Sequence, residues 1–219
     1  MLSVFTMHEG QKGYIVLWYT AKKTQGSGVS AMPDDRGFLT RLRQHDAAAF
    51  TEFFETYADR VYRLALGLLK QEDDAEEVVQ ATFLSAFEAI NRFEPHAQLS
   101  TWLYRIAYNH ALMLLRRRHA VDPLPEEEDS PPFPVQLVDW SQLPDQQALS
   151  GEAQEVLRTA INDLPVGLRA AFILRDLEGL STAECAHIQE LTEAACKVRL
   201  HRARLRLREQ LSSYFSERV

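Results

Sequence analysis

Apolar residues recur at intervals of three and four over two stretches of this chain, and between the stretches the pattern fails. In the first, Asp34 to His119, the residues Phe50, Phe53, Phe54, Tyr57, Val61, Leu64, Ala65 and Leu68 draw the stripe of an amphipathic helix. The polar run Gln71-Glu-Asp-Asp breaks it, and Asp73 or Asp74 is expected to cap a second helix, with Val79, Phe83, Phe87 and Ile90 on one face. A loop over Asn91 to Gln98 is held by Pro95. Ser100 is expected to cap a third helix whose apolar side carries Leu103, Ile106, Ala107, Ala111, Leu114 and Leu115. That helix ends in Arg116-Arg-Arg-His119, where cations meet the negative end of the helix dipole. The second stretch begins near Gly151: Val156, Leu157, Ala160, Ile161 and Leu164 form a stripe, Pro165 suits the first turn of the next helix, and Leu168, Ala171, Phe172 and Leu174 carry the apolar side on to Glu178-Gly179.

The last sixty or so residues contain two further helices with a short turn between them. Ser181 caps the first, and Glu184 three residues on completes a capping box. Thr192 caps the second, with Glu193 at its positive dipole end. Cys185, Ala186, Ile188, Leu191, Cys196 and Leu200 can form a small apolar seam between the two. The second helix is strongly basic, with Lys197, Arg199, Arg202, Arg204, Arg206 and Arg208 opposed only by Glu193 and Glu209. This is the layout of a helix-turn-helix DNA reader; the bland alternative is a solvated basic helix closing an ordinary domain. The turn itself carries Gln189 and Glu190, with none of the glycine that eases a left-handed conformation.

Between the two stretches, Asp122 to about Ser150 holds Pro123, Pro125, Pro131, Pro132, Pro134 and Pro144 and the acidic run Glu126 to Asp129, and reads as a linker. No Lys or Arg lies between Asp122 and Glu155. The net charge of −7 is concentrated there, so overall acidity does not argue against a nucleic-acid partner. Residues 1–31 lack helical period and end in Thr24-Gln-Gly-Ser-Gly-Val-Ser-Ala; they read as a disordered extension, or as sequence upstream of a start at Met32. The fold class is therefore all-α: one helical domain over 34–119, a second over 151–214, and a flexible acidic, Pro-rich linker over 120–150.

Two constellations carry candidate chemistry besides the basic helix. Trp102, Tyr104, Arg105, Tyr108 and Asn109 lie together with Arg116–Arg118 following, and no acidic residue stands between Leu99 and His119. Rings interleaved with cations suit single-stranded nucleic acid, since bases stack and Arg neutralises phosphate; for Trp102 a core role is the alternative. Glu72-Asp-Asp-Ala-Glu-Glu77 opens a helix and reads either as capping with solvation or as a docking patch for a partner helix. Cys185 and Cys196, with His187 and His201, tempt a metal reading, but both cysteines fall where the seam needs small apolar groups. No metal or cofactor is implied, no run approaches the ~20 apolar residues of a membrane span, and no nucleophile–base set marks an enzyme. Cysteine usage suits a reducing cytoplasm.

Three motifs in order, Asp74-Ala-Glu-Glu-Val-Val-Gln-Ala-Thr-Phe83, Thr101-Trp-Leu-Tyr-Arg-Ile-Ala107 and Arg199-Leu-His-Arg-Ala-Arg204, resemble the bacterial sigma factors of the extracytoplasmic-function group, over about residues 36–119 and 150–213. The resemblance implies a region two and a region four that direct RNA polymerase to promoters. Carried over by position, Asp74, Glu76, Glu77, Val79, Gln80 and Phe83 would bind the clamp helices of the polymerase beta-prime subunit. Asn91, Arg92, Phe93 and His96 in the loop, with Thr101, Trp102, Arg105 and Asn109, would open and read the minus-ten element, holding a base flipped from the duplex. Lys197, Val198, His201 and Arg202 would read the minus-thirty-five element, with Arg199 and Arg204 nearer phosphates. Core RNA polymerase, including its beta flap, promoter DNA and an anti-sigma factor are the partners implied. Gln189, Glu190 and Val198 depart from the family pattern, and Val198 cannot hydrogen-bond a base. The competing reading is a helix-turn-helix repressor or activator with a helical sensor or dimerisation domain; the pairing of an acidic helix with an aromatic–basic one argues against it.

The acidic linker generates a prediction. Deleting residues 122–149 is expected to raise non-specific duplex affinity of the free protein and steepen its dependence on salt, measured by anisotropy titrations at two ionic strengths.

Overall fold

The computed structural model describes residues 36–94, 98–118 and 151–216. The extension over 1–31, the loop residues Pro95 and His96, and the linker fall outside these residues. Among the described residues all regular structure is helical. Helix α1 is Arg36–Arg43, α2 Ala47–Leu69, α3 Glu72–Ala89 and α4 Leu99–Arg118. A 3-10 turn, Ile90–Arg92, follows α3. The second set is α5 Gly151–Asp163, α6 Val166–Phe172, which widens into a π turn at Ile173–Leu177, α7 Thr182–Ile188 and α8 Glu193–Ser216.

The long stripe predicted between Phe50 and Leu68 is the buried face of α2. Asp46 caps it, its carboxylate accepting from the Ala49 amide at 2.9 Å. That bond and the Arg41 guanidinium hold the Asp46 carboxyl below its ordinary value. Lys70 ends α2 in the left-handed region, its amide bonded to the Leu66 carbonyl. The break is thus shorter than the polar run Gln71-Glu-Asp-Asp suggested. Helix α3 starts at Glu72 with Gln71 in the cap position, so Asp73 and Asp74 are first-turn residues that favour the dipole without capping. Ser100 likewise lies inside the first turn of α4, its hydroxyl donating to Gln98 at 3.4 Å. Pro165 sits at the cap of α6, one residue ahead of its expected place.

Helices α2, α3 and α4 pack around an aromatic centre. The Phe53 ring meets Tyr57 at 5.3 Å and Phe83 at 5.6 Å, both edge-on. Tyr104 and Leu103 fill the α4 side and Leu42 closes the α1 side. In the second set, Ala160, Leu164, Leu168 and Phe172 pack on Ala203 and Leu207.

The sequence pattern suggested separate cores, but one apolar cluster runs through both sets. Ala170, Ala171, Ile173, Leu174, Leu180 and the α7–α8 seam are continuous with the α2–α4 core. Gly67 on α2 permits the approach: a Cβ there would lie 2.5 Å from Ile173 Cδ1. Arg169, buried in α6, donates to the Leu68 carbonyl at 3.0 Å and to the Asn162 carbonyl at 2.6 Å. It thereby satisfies an orphan carbonyl in the last turn of α2 and places a cation at that helix's negative end.

Helix α7 opens in the predicted capping box: the Glu184 amide donates to Ser181 Oγ at 3.2 Å, and the Ser181 amide to Glu184 Oε2 at 2.8 Å. Thr192 caps α8, its hydroxyl accepting from the Ala195 amide at 3.1 Å. Ser181→Ala removes one half of that reciprocal pair and is expected to cost about 1 kcal/mol, read as a lowered urea midpoint at unchanged m-value.

A second stability prediction concerns His110, half-buried on α4 beside Ser85 Oγ at 3.0 Å. Burial lowers its pKa below the ordinary 6.5. The unfolded chain therefore takes up this proton first, and the stability His110 contributes is lost as pH falls from about 6.5 towards its folded value. Wild type is expected to lose more stability than His110→Gln between pH 7.5 and 5.5, in parallel denaturant titrations.

Candidate polymerase and promoter interfaces

The helix-turn-helix is built as its pattern indicated, and the turn shows how it manages without glycine. Glu190 itself takes the left-handed conformation, at φ 57°. The Leu191 amide reaches back to the Ala186 carbonyl at 2.9 Å, closing the helix in a Schellman turn. A side chain other than glycine in that region costs about 1–2 kcal/mol. Gln189 is buried, its Oε1 accepting from Arg199 at 3.2 Å. Cys185, Ala186, Ile188, Cys196 and Leu200 form the buried seam, with Leu191 half-buried. Both cysteines are free, and His187 is exposed beside Arg105, at 3.4 Å.

Helix α8 buries Cys196, Leu200, Ala203 and Leu207 and turns Lys197 and Val198 outward; His201 and Arg202 flank them, half-buried. Arg199 is held by Gln189 as described. Arg204 makes a two-point ion pair with Asp176, at 2.6 and 3.0 Å, which ties α8 to the π turn. Sequence reasoning missed Ala194 and Leu205. Both are exposed on the outward arc with Val198, four before it and seven after, a spacing legible from helical period alone.

On α4 the aromatic–basic set divides. Tyr104 and Tyr108 are buried core residues, so the expected stacking surface is reduced to Trp102, half-buried with its ring 5.2 Å from that of Phe93. Phe93 is itself buried, and its carbonyl accepts from Arg43 at 2.6 Å. Arg92 and Asn109 are exposed, and Asn91 is exposed with its amide 3.3 Å from His45 Nε2. His96 lies outside the described residues. Thr101 is buried, its hydroxyl donating to Glu184 Oε1 at 2.8 Å, and Arg105 pairs with Glu190 at 2.6 Å. Burial pushes Glu184 up, but hydrogen bonds from Ser181 and Thr101 outweigh it and leave the carboxyl below its ordinary value.

On α3, Glu77 is exposed and Glu76 and Gln80 are half-buried. Asp74 forms an ion pair with Arg118 at the end of α4. Val79 and Phe83 are core side chains, so neither presents a surface to a partner.

A buried carboxylate was invisible to sequence reasoning. The Glu178 side chain is 2% exposed, and its carboxylate takes its donors from the first helical set. Arg60 Nε donates to Oε2 at 3.0 Å, Arg63 Nε to Oε1 at 2.9 Å and the Tyr104 hydroxyl to Oε2 at 2.8 Å. Burial and the adjacent carboxylate push the Tyr104 phenol far above its ordinary value, so it stays protonated and donates. Arg60 also lies over the Tyr104 ring, 5.7 Å from its centroid.

Among the described residues no group of His, Cys, Asp and Glu could hold a metal ion, and no helix is long and apolar enough to cross a membrane. The surfaces left are an outward basic helix face, an acidic helix face and a partly covered aromatic–basic helix.

Comparison with known proteins places the chain in a family. A family model described as Sigma-70 region 2 matches residues 53–121, and one described as Sigma-70, region 4 matches residues 154–207. The chain is 32% identical to the ECF RNA polymerase sigma-E factor of Haemophilus influenzae, over 78% of this chain and 91% of that protein. It is 33% identical to the ECF RNA polymerase sigma factor SigE of Mycolicibacterium smegmatis, over 77% of this chain but only 64% of that longer protein. It is 28% identical to SigW of Bacillus subtilis, over 79% and 94%. Among solved structures, RpoE of Bartonella quintana, determined with the anti-sigma factor NepR, is 27% identical with a TM-score of 0.58, over 74% of this chain and 96% of that one. CnrH, determined with the cytosolic domain of CnrY, shares the fold at 23% identity and a TM-score of 0.61, over 83% and 99%. A sensor domain in place of region two is thereby set aside, and the chain belongs to the sigma-70 family, in its ECF group, as a sigma factor that directs promoter-specific initiation of transcription.

Proposed function

We propose that the two halves divide the work as follows. The exposed α3 face around Glu76, Glu77 and Gln80 docks on the clamp helices of the polymerase beta-prime subunit. Val79 and Phe83 act by packing that face onto the core, and Asp74 by anchoring the start of α3 to Arg118. The loop after α3, with Asn91 and Arg92, and the α4 residues Thr101, Trp102, Arg105 and Asn109 open and read the minus-ten element; Phe93 backs the Trp102 ring. Region four, over about 151–214, reads the minus-thirty-five element and meets the beta flap, and the acidic segment over 120–150 joins it to region two at 34–119. An anti-sigma factor controls access, as the anti-sigma factor NepR bound to RpoE suggests for that protein. The chain works in the cytoplasm with the polymerase, binds no cofactor, and contributes specificity in place of chemistry.

The observation that carries this reading is the outward face of α8, where Lys197 and Val198 stand exposed with Ala194 and His201 around them. Val198 suits contact with a thymine methyl group, which is read by apolar side chains, while Lys197 suits a guanine edge. Arg202 flanks this face. Arg204, tied to Asp176, and Arg199, tied to Gln189, suit phosphate contacts that position the helix.

Two outcomes test the assignment. Glu77→Lys is expected to weaken binding to core polymerase about tenfold with an unchanged thermal midpoint; unaltered affinity in a titration against core enzyme counts against the α3 face. For α8, the holoenzyme first selects its preferred minus-thirty-five duplex from a random library. Replacing thymine by uracil at one position of that duplex then removes a methyl group and is expected to weaken wild type by about 1 kcal/mol. The same replacement leaves Val198→Ser unaffected, and equal losses in both proteins would remove Val198 from the reading face.

A further inference from the structure

With Asn91 and Arg92 assigned to the minus-ten strand, a reading on which this inference rests, whatever fixes the start of their loop bears on how a base is read. Two side chains from the end of α1 fix it. Arg43, the last residue of that helix, donates from Nη2 to the Phe93 carbonyl at 2.6 Å. His45 places Nε2 3.3 Å from the side-chain amide of Asn91. Asn91 and Phe93 flank Arg92, whose side chain is exposed. The Phe93 amide is engaged by the Ile90 carbonyl at 3.2 Å, so both backbone polar groups of Phe93 are held.

His45 is an unusual residue for its place. Its amide donates to the Leu42 carbonyl at 2.9 Å, and that of Asp46 to the Arg41 carbonyl at 3.0 Å. These two bonds are the Schellman closure of α1, with His45 at the position that glycine most often fills. Its φ of 56° lies in the left-handed region, where a side chain is strained. Its Nδ1 is buried without a hydrogen-bond partner, a second local cost. The ring is nevertheless fixed. It lies 4.5 Å from that of Phe87 and stacks at 6.2 Å on that of Phe50, and the two phenyl rings are 4.8 Å apart. A phenyl group at this position would pack on the same neighbours without an orphaned nitrogen. What the imidazole adds is its polar tip, and that tip meets Asn91.

We propose that Arg43 and His45 are positioning residues for promoter opening. They form a brace from the end of α1 that holds Asn91 and the Phe93 backbone in the geometry that receives an unpaired minus-ten base. Neither touches DNA. Each acts by removing loop motion that base capture otherwise has to freeze. The brace lies wholly within the first helical set and is independent of its junction with the second.

The test uses the full chain with His45→Gly and Arg43→Gln. The first relieves the left-handed strain and the second changes an exposed side chain, so a lost fold does not account for their effects. In the free protein, amide exchange at Phe93 reports the loop, and amides at the centre of α2 report the fold. Wild-type holoenzyme then selects a promoter from a random library. 2-Aminopurine placed in turn at each minus-ten position finds the base that leaves the stack. Binding of that single strand to holoenzyme is compared with binding of the same strand abasic at that position. Arg92→Ala serves as the control for the reading itself.

Phe93 is expected to exchange about tenfold faster in both variants, with the α2 amides at wild-type protection or better. The 2-aminopurine signal should fall. Preference for the intact over the abasic strand should drop about tenfold while affinity for the abasic strand is unchanged, a split that a merely structural role does not produce. In an Asn91→Ala background, His45→Gly should have no further effect, because its contact is with that side chain. Wild-type exchange at Phe93 in both variants overturns the brace. Faster exchange with unchanged preference overturns the positioning role if Arg92→Ala weakens strand binding. If Arg92→Ala also leaves strand binding unchanged, the brace stands and the minus-ten assignment of the loop fails instead.

Discussion

The arrangement of this sigma factor depends on one carboxylate, that of Glu178. A buried charge without partners is far more costly than any single apolar contact is favourable. Glu178 is tolerable only because two guanidiniums and a phenol from the other helical set surround it. Removing its partners by pulling the sets apart is harmless only where water can replace them. Glu178 thus sets two end states: fully docked and fully hydrated. Intermediate separations, which strip the partners without admitting water, are the unfavourable ones.

The other junction contacts are graded around that centre. Arg169, buried at the end of α2, is the second costly group to expose or orphan. The Ile173–Gly67 contact adds shape without charge. The Arg105–Glu190 pair is partly exposed, and surface pairs of that kind are worth only about 0–1 kcal/mol. Its significance is therefore in what it occupies: a residue assigned to DNA is engaged by a residue of the partner domain. Glu178 centres the buried part of the junction, while Glu184 and Glu190 engage Thr101 and Arg105 on α4.

How far the sequence reveals this can be traced residue by residue. The α2 stripe is legible because a 3.6-residue period sustained over about five turns marks a helix and little else. The Ser181 and Thr192 caps are legible because their partners lie three residues away. Asp73, Asp74 and Ser100, expected at the caps, lie two or three positions inside them, since an acidic or hydroxyl residue favours the cap and the first turn alike. Tyr104 and Tyr108 resemble a stacking surface in sequence because composition does not say which side of a helix faces a neighbour not yet placed. Glu190 looks like an obstacle in the turn, yet it adopts the left-handed conformation outright. Glu178 and Gly67 give no signal at all, since their partners lie some hundred residues away, and only folding brings them together. The assignment of individual side chains to polymerase and promoter rests on family resemblance and surface exposure together.

Native-state hydrogen exchange of the free protein measures the central claim, that the two helical sets form one cooperative body, most directly. If the Glu178 junction couples them, the slowest amides of α2 and of α6 share a single opening free energy with a common denaturant dependence. In Glu178→Gln the α6 amides should then open at lower free energy while those of α2 keep most of their protection. Two distinct opening free energies already in wild type, unchanged by Glu178→Gln, would contradict the account.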